Sequence, residues 1–413
     1  MIPGVAFIRP GQFRFGVNYT PSARWFYSWY DFRADDARRD LAAIAELGLD
    51  HVRVFCLWPV FQPNASFVNQ RAVDDLLTLI DAAAEVGLSV TVDAVQGHLS
   101  SFDFYPSWTV TWHQGNLFTD RRVRDATAYY LRTLGAALAS RPNVVGYQLG
   151  NELNNLVQHN PCTPEQINEY LDEMLVAAIE NLPDRLITHS AYDAAWYTDG
   201  HPFTPRASAR KGDVTVVHPW VFSNNCARRY GARSVAATHL AEYGVELAKA
   251  YATDPARPVW VQEVGAPEPH IPADDAAAFT EATVRNLATC AGVPALTWWC
   301  SHDVNRAYAD FPELEYTLGL FDADGALKPV GQTLSALAAE YAKNPPTPAV
   351  RDTALVFNGG GVDSRSASGP GGEFFEAWMR HAAASERLAV VLAEDSDNLE
   401  LLAQRGITTL VHP

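Results

Sequence analysis

The sequence predicts a (β/α)8 TIM barrel followed by a small α/β unit, and three observations carry that expectation. Eight short runs of β-branched and aromatic residues recur between residues 14 and 301. Amphipathic segments rich in alanine and leucine alternate with them, the pattern of parallel strands joined by helices. No GxGxxG follows the first run, whereas a doubly wound open sheet usually carries that fingerprint there and usually stops sooner.

The eight strand candidates are RFGVNY (14–19), HVRVFCLW (51–58), SVTVDAV (89–95), VVGYQLGN (144–151), RLITHSA (185–191), VTVVHPW (214–220), PVWVQEV (258–264) and ALTWWCS (295–301). Helix candidates between them include 34–48, 72–87, 123–141 and 163–182, several of which open with Asp, Thr or Pro and close at Gly or before Pro. PVGQTLSALAAEYAK (329–343) is expected to be the last barrel helix, and the proline-rich NPPTPAVRD (344–352) reads as a linker. The division expected is a catalytic barrel over 1–345 and a small domain over 346–413.

After the linker, TALVF, GEFFEAWMRHAAA, RLAVVLA, NLELLAQRG and ITTLV make a β-α-β-α-β unit, a flavodoxin-like half. Its FNGGGVDSRSASGPGG stretch lacks the P-loop lysine and the ordered dinucleotide spacing, so a connecting or interface loop is expected rather than a phosphate cradle. A sheet this short has exposed edges. Packing onto the barrel, or onto a second copy in a homo-oligomer, is the role expected for it.

The chain has 413 residues, 48% of them hydrophobic and 19% charged, enough to bury a large core. The formal net charge of −17, with no basic stripe, opposes nucleic acid and anionic membrane surfaces as partners. MIPGVAFIRPGQF does not resemble a secretion signal, and no run approaches a membrane span, so a cytoplasmic location is expected. The five cysteines are scattered and never in CxxC spacing, which argues against a disulfide framework or a zinc site.

In barrels of this kind the chemistry sits at the C-terminal ends of the strands. The residues there are Arg53 and Trp58, Gln96 and His98, Asn151 and Glu152, His218 and Trp220, Glu263, and Trp298, Trp299, His302 and Asp303. Glu152 and Glu263 stand out, because two carboxyls about 5–5.5 Å apart are what a retaining glycosidase needs as acid/base and nucleophile. Trp58, Trp112, Trp220 and Trp298 are candidate pocket walls, with core packing the competing place for each. His201, His302 and Asp303 have no metal-binding spacing, and neither a metal nor another cofactor is expected.

GNE at the end of the fourth strand, a Glu at the end of the seventh and a Trp at the end of the eighth resemble clan A glycoside hydrolases. Arg53, His98, Asn151, Glu152, His218, Glu263 and Trp299 match the motif positions of glycoside hydrolase family 5 within that clan. The spacing from Trp299 to Asp303 and the run LGLFDADGALKP (318–329) add to the likeness, which covers about 1–345. The resemblance implies that Glu152 is the acid/base, Glu263 the nucleophile and Asn151 a partner of the sugar 2-hydroxyl. It implies further that Arg53 keeps Glu263 ionised, that His98 and His218 bind hydroxyls or tune the carboxylates, and that Trp299 is the floor under the first sugar. One departure stands out: the family's strand-six His-x-Tyr is here His218-Pro219-Trp220, leaving Tyr192 or Tyr230 to supply the missing hydroxyl, or Trp220 to shape the pocket instead.

The resulting expectation is a retaining β-glycosidase acting on small β-linked saccharides, with an exo-acting β-mannosidase first because the barrel and tail resemble the intracellular β-mannosidase-like members. The alternatives are an endo-β-mannanase, a β-glucosidase or β-galactosidase, and, from another class, a catalytically silent sugar-binding protein.

Overall fold

The computed structural model describes residues 7–8, 11–110, 114–359 and 364–413. Its largest sheet consists of eight parallel strands: β1 (Arg14–Asn18), β2 (His51–Leu57), β3 (Ser89–Gln96), β4 (Val144–Gln148), β5 (Leu186–Thr188), β6 (Thr215–Val217), β7 (Val259–Val261) and β8 (Ala295–Trp298). They are hydrogen-bonded in the order β5-β4-β3-β2-β1-β8-β7-β6. Each is followed by a helix: α1 (Ala34–Glu46), α2 (Gln70–Glu85), α3 (Arg121–Leu138), α4 (Pro164–Ile179), α5 (Pro205–Arg210), α6 (Leu240–Tyr251), α7 (Ala273–Leu287) and α8 (Pro329–Lys343). This is the (β/α)8 barrel expected from the sequence. Among the described residues, no helix is long and apolar enough to cross a membrane.

The barrel closes between β5 and β6 by a side chain as well as by backbone. The Asp213 N–H donates to the Ile187 carbonyl at 2.9 Å, and the Asp213 carboxylate accepts the Ile187 N–H at 2.7 Å. Gly212, at φ +69°, permits this approach, since a Cβ there would lie 2.8 Å from the Ile187 carbonyl oxygen.

Strand periodicity sorts the side chains into two populations. In β2, Val52, Val54 and Cys56 join the apolar layer beneath the helices, while His51, Arg53 and Phe55 occupy the barrel axis from bottom to top. In β8 the same parity turns Thr297 inward, where its hydroxyl meets His51 Nε2 at 2.7 Å, and two residues later Trp299 reaches the upper rim. Several strands are shorter than the sequence suggested: the runs continuing to residues 191, 220 and 264 leave the ladder at Thr188, Val217 and Val261. Their last residues bend over the barrel mouth instead of pairing, which frees His218, Trp220 and Glu263 to face inward.

The C-terminal segment folds as β9 (Thr353–Phe357), α9 (Glu373–Ala383), β10 (Ala389–Leu392), α10 (Leu399–Gln404) and β11 (Thr409–Val411). The strands form a parallel sheet in the order β10-β9-β11. The unit lies against α6. Phe375 and Trp378 pack edge-on to Tyr243, whose hydroxyl donates to the Ser368 carbonyl at 2.5 Å. Arg365, in the described part of the glycine-rich loop, is buried and donates to the carbonyls of Ala195, Phe203 and His201.

Charge completes this contact. The Glu242 carboxylate, fully buried on α6, accepts from Arg351 at 2.6 Å and Arg387 at 2.7 Å, with His239 also 2.6 Å away. Burial alone would raise Glu242, but His239 and the two guanidinium groups outweigh it and hold the carboxyl down at about 2. Removing it leaves two guanidinium groups facing an empty hole, so Glu242→Ala is expected to cost about 3 kcal/mol in urea unfolding. Because the folded carboxyl titrates below the unfolded one, its contribution is present above about pH 4.3 and is lost as pH falls towards 2. Wild-type stability should therefore fall more steeply over that acid range than that of Glu242→Gln.

Candidate active site

The mouth of the barrel is organised around Arg53. Its side chain is fully buried and donates to groups from four other strands or their extensions. Nε reaches both Asp93 oxygens at 3.1 Å and Nη2 reaches Asp93 Oδ2 at 2.6 Å. Nη1 donates to Glu263 Oε1 at 2.6 Å and to Asn18 Oδ1 at 3.1 Å, and Nη2 to Asn151 Oδ1 at 2.7 Å. Burial works against the guanidinium charge, but Asp93 and Glu263 more than offset it and raise its pKa.

Glu152 and Glu263 face one another across this centre. One carboxylate oxygen from each and one His218 ring nitrogen all lie within 4.8 Å of one another. His218 Nδ1 is 2.7 Å from Glu152 Oε1 and 3.5 Å from Glu263 Oε2. Burial lowers His218 to about 4, so its imidazole is neutral near pH 7. A neutral ring suits either state of Glu152, donating from Nδ1–H to the carboxylate or accepting at bare Nδ1 from the carboxylic acid. The same three groups offer the donor atoms a divalent cation would use. The Arg53 guanidinium already occupies a Glu263 oxygen, and its fixed positive charge opposes a second cation there.

The two carboxyls have different surroundings. Glu152 takes a left-handed backbone (φ 43°) just past β4, its N–H held by Ser190 Oγ at 3.0 Å. Burial pushes it up to about 7, against the opposing pull of His98, Arg53 and the Asn155 amide, which donates to Oε2 at 3.0 Å. Glu263 is also raised by burial, with Glu152 adding to the rise and His218 and Arg53 pulling down. The sequence-based expectation that Arg53 sets the charge of Glu263 therefore describes one of several opposing influences. The guanidinium touches Glu263 and not Glu152, so by direct contact it favours the charged form of Glu263.

A cavity of about 360 Å³ opens over these groups, lined among others by His98, Asn151, Tyr192, Trp220, Phe222 and Trp299. Asp103 takes His98 Nδ1 at 2.7 Å, leaving Nε2 as the ring's other hydrogen-bonding atom. The Asn151 carbonyl is occupied by Arg53, whereas its amide has only a long 3.4 Å contact to the His98 carbonyl and is free for a ligand. Trp299 packs against Phe55 and Trp220, with ring centroids 5.7 and 6.4 Å away.

One expectation changes and two open ones narrow. Trp58 does not line the cavity: the chain turns there into the short helix Trp58–Phe61, and the buried indole donates to Gln62 Oε1 at 2.8 Å and packs edge-on to Trp108. His218 is also absent from the lining and addresses the carboxylates, the second of the two roles expected of it. Neither tyrosine supplies the strand-six hydroxyl, since Tyr230 donates to Glu376 of the C-terminal unit and Tyr192 pairs with Ser223. Trp220 takes that place, its Nε1–H donating to Glu263 Oε2 at 3.3 Å. Trp112 lies outside the described residues.

Sequence reasoning passed over Asp93, Gln148, Ser190 and Glu315. Asp93 had a signal, an acid inside the otherwise apolar SVTVDAV. The contact from Asn155 yields a directional expectation. It favours the charged form of Glu152, so Asn155→Ala should move the Glu152 midpoint above about 7, followed by carboxyl-carbon NMR on 13C-glutamate-labelled protein.

Comparison with known proteins bears on this geometry. The family model described as Cellulase (glycosyl hydrolase family 5) matches residues 12–303. A variant of GH5_18 from Streptomyces cattleya, solved in complex with Manb1-4GlcNAc, is 54% identical, the match covering 97% of this chain and 98% of that one with a TM-score of 0.95. A GH5_18 variant from Bifidobacterium longum subsp. longum, also in complex with Manb1-4GlcNAc, is 43% identical over 97% of this chain and 96% of that one, with a TM-score of 0.93. An exo-beta-1,4-mannosidase from Opitutaceae bacterium strain TAV5 shares the fold at 23% identity and a TM-score of 0.75, over 92% of this chain and 69% of that one. No curated protein matches the chain. With the family model spanning most of the sequence and these relatives matching it almost end to end, the chain belongs to glycosyl hydrolase family 5.

Proposed function

We propose that this glycoside hydrolase is a retaining, exo-acting β-mannosidase that releases mannose from short β-mannosides of the Manβ1-4GlcNAc class. The observation that carries the retaining reading is the closeness of Glu152 and Glu263, one carboxylate oxygen from each lying within 4.8 Å of the other and of a His218 nitrogen. An inverting pair stands about 6.5–9.5 Å apart to admit a water between carboxyl and sugar, so oxygens this close favour the retaining arrangement. The substrate class rests on relatives solved with that disaccharide.

In the first step an oxygen of ionised Glu263 forms a bond to the anomeric carbon as the glycosidic C–O bond breaks, and the Glu152 carboxylic acid passes its proton to the departing oxygen. Arg53 and Trp220 hold Glu263 in line through one oxygen each. In the second step Glu152, now a carboxylate, takes a proton from water as that water's oxygen displaces Glu263 from the anomeric carbon. Mannose leaves and both carboxyls return to their starting states. Asn151 directs its free amide at the sugar 2-hydroxyl, and Trp299 lies under the apolar face of the ring. Trp220 and Phe222, stacked with centroids 4.9 Å apart, supply an apolar wall for the leaving sugar.

Purified protein is expected to release mannose from aryl β-mannosides and mannosyl-terminated disaccharides in preference to the matching glucosides and galactosides. Glu263→Ala should lose roughly 10⁴-fold or more in kcat and regain turnover with azide, giving the inverted α-mannosyl azide. Glu152→Ala should retain aryl substrates with good leaving groups and lose natural disaccharides by roughly 10²–10⁴-fold. Normal activity in both variants would defeat the mechanism, and cleavage of long chains alone would favour an endo-acting enzyme. Because Glu152 must be protonated for the first step, kcat/KM should fall as pH rises through about 7, with an acid limb where Glu263 gains a proton.

A further inference from the structure

The cavity contains a third buried carboxyl. Glu315 sits on the single 3-10 turn Glu313–Tyr316 beyond β8, its residue only 4% exposed. It lines the cavity beside Leu314 and Leu318, yet its Oε2 atom has no hydrogen-bond partner. Ser100, from the hairpin turn between His98–Leu99 and Phe102–Asp103, lines the same cavity, and its hydroxyl has no partner other than the Glu315 carboxyl, which it and Trp299 hold down. Leaving a buried oxygen such as Glu315 Oε2 unpaired costs on the order of 1–3 kcal/mol, more for a charged one, and folding gains nothing visible from it. The turn that carries Glu315 is held in place: the Glu315 carbonyl accepts the Val304 N–H at 3.2 Å, and Tyr316 packs edge-on to Phe311.

Position narrows what they can meet. Glu315 neighbours Ser100 and Trp299, the ring-stacking surface, and makes no hydrogen bond to Asn151, Glu152 or Glu263. If C1 and the 2-hydroxyl are engaged by the two glutamates and Asn151, the sugar hydroxyls left for Glu315 are those at C3, C4 and C6. Resting on the glycosidase reading above, we propose that Glu315, with Ser100, is the specificity-determining residue of the glycone end, accepting hydrogen bonds from free hydroxyls of the terminal sugar remote from its anomeric carbon. Behind it, Phe26, Phe102, Phe311 and Tyr316 form one apolar cluster, so the end of the pocket offers acceptors backed by aromatic rings. A chain that continued from the C4 oxygen would lose that hydroxyl donor and add bulk at this wall. Burial pushes Glu315 up to about 7, with Ser100 and Trp299 pulling down, which allows it to accept or donate near neutrality.

The test compares wild type, Glu315→Gln and Glu315→Ala on the nitrophenyl β-glycoside that wild type cleaves best and on its 3-, 4- and 6-deoxy analogues. Deoxygenation at a contacted position is expected to cost wild type about 10²-fold or more in kcat/KM and Glu315→Ala tenfold or less, with Glu315→Gln between them. Equal penalties in wild type and Glu315→Ala at all three positions would overturn the proposal. Covalent trapping by a 2-deoxy-2-fluoro glycosyl fluoride, read as a mass increase, and an unchanged Tm show that the variants keep a folded, reactive centre. A wild type that prefers glucosides or galactosides would defeat the mannosidase reading alone, since the comparison then runs on that glycoside. A wild type silent on every monosaccharide glycoside but active on longer chains would overturn the Glu315 proposal, because a terminal-hydroxyl receptor has no place in such an enzyme.

Discussion

The Arg53 guanidinium is the interaction on which the rest of the barrel mouth depends. It is fully buried, and each of its donors ends on an oxygen carried by a different part of the sheet: Asn18 on β1, Asp93 on β3, Asn151 past β4 and Glu263 past β7. A planar fork with five donors can fix several acceptors at defined angles, which a lysine ammonium cannot. Asp93, itself held by Gln148 at 3.0 Å, balances the charge from below, so that one face of the guanidinium remains for the working carboxylate above. The arrangement concentrates charge in a dry interior, a costly choice that is sustained by the close pairing of its charged groups.

That centre also separates two residues of identical chemistry. Glu152 and Glu263 are both buried and both shifted upwards, yet one touches a guanidinium and an indole N–H while the other touches a neutral imidazole and an amide. Different neighbours, rather than different side chains, set the two carboxyls apart, the guanidinium favouring the charged form of the one it touches. Trp220 shows that the role belongs to the donor and not to a residue type, since an indole stands where the family has a phenol.

Much of this was legible in the sequence. Strands and helices could be read from the alternation of periods, and Glu152, Glu263, Arg53 and His218 could be read because polar residues ending apolar runs in a parallel barrel converge on one rim. Trp58 shows where such reading stops: a large aromatic at a strand end looks the same whether the chain continues straight or turns into a helix, and here it turns. Asp93 was visible but lay inside a run and not at its end. Glu315 left no trace, because its position depends on an irregular loop whose path is set by distant aromatic packing rather than by local periodicity. Strand ends were overestimated at β5, β6 and β7 for a related reason, as the residues that bend over the mouth have strand-like composition but no ladder to join.

The seating of the C-terminal unit on α6 has a consequence for how this architecture can be taken apart. Glu242 and Glu246 are buried on a barrel helix, but the arginines at 351, 387 and 405 that lie against them belong to the tail and its approach. A barrel severed before residue 351 would leave Glu242 without its two guanidinium partners and Glu246 with Lys249 alone among its cations, and would expose the Tyr243 ring on its flank, next to the sector that bears His218 and Trp220. Catalytic barrel and appendage are thus not modules in the sense of parts that recombination can exchange freely: a transplanted tail would have to bring matching cations, and a tail-less relative would need to have replaced both acids. Charge complementarity across this joint makes the two halves of the gene product a single heritable unit.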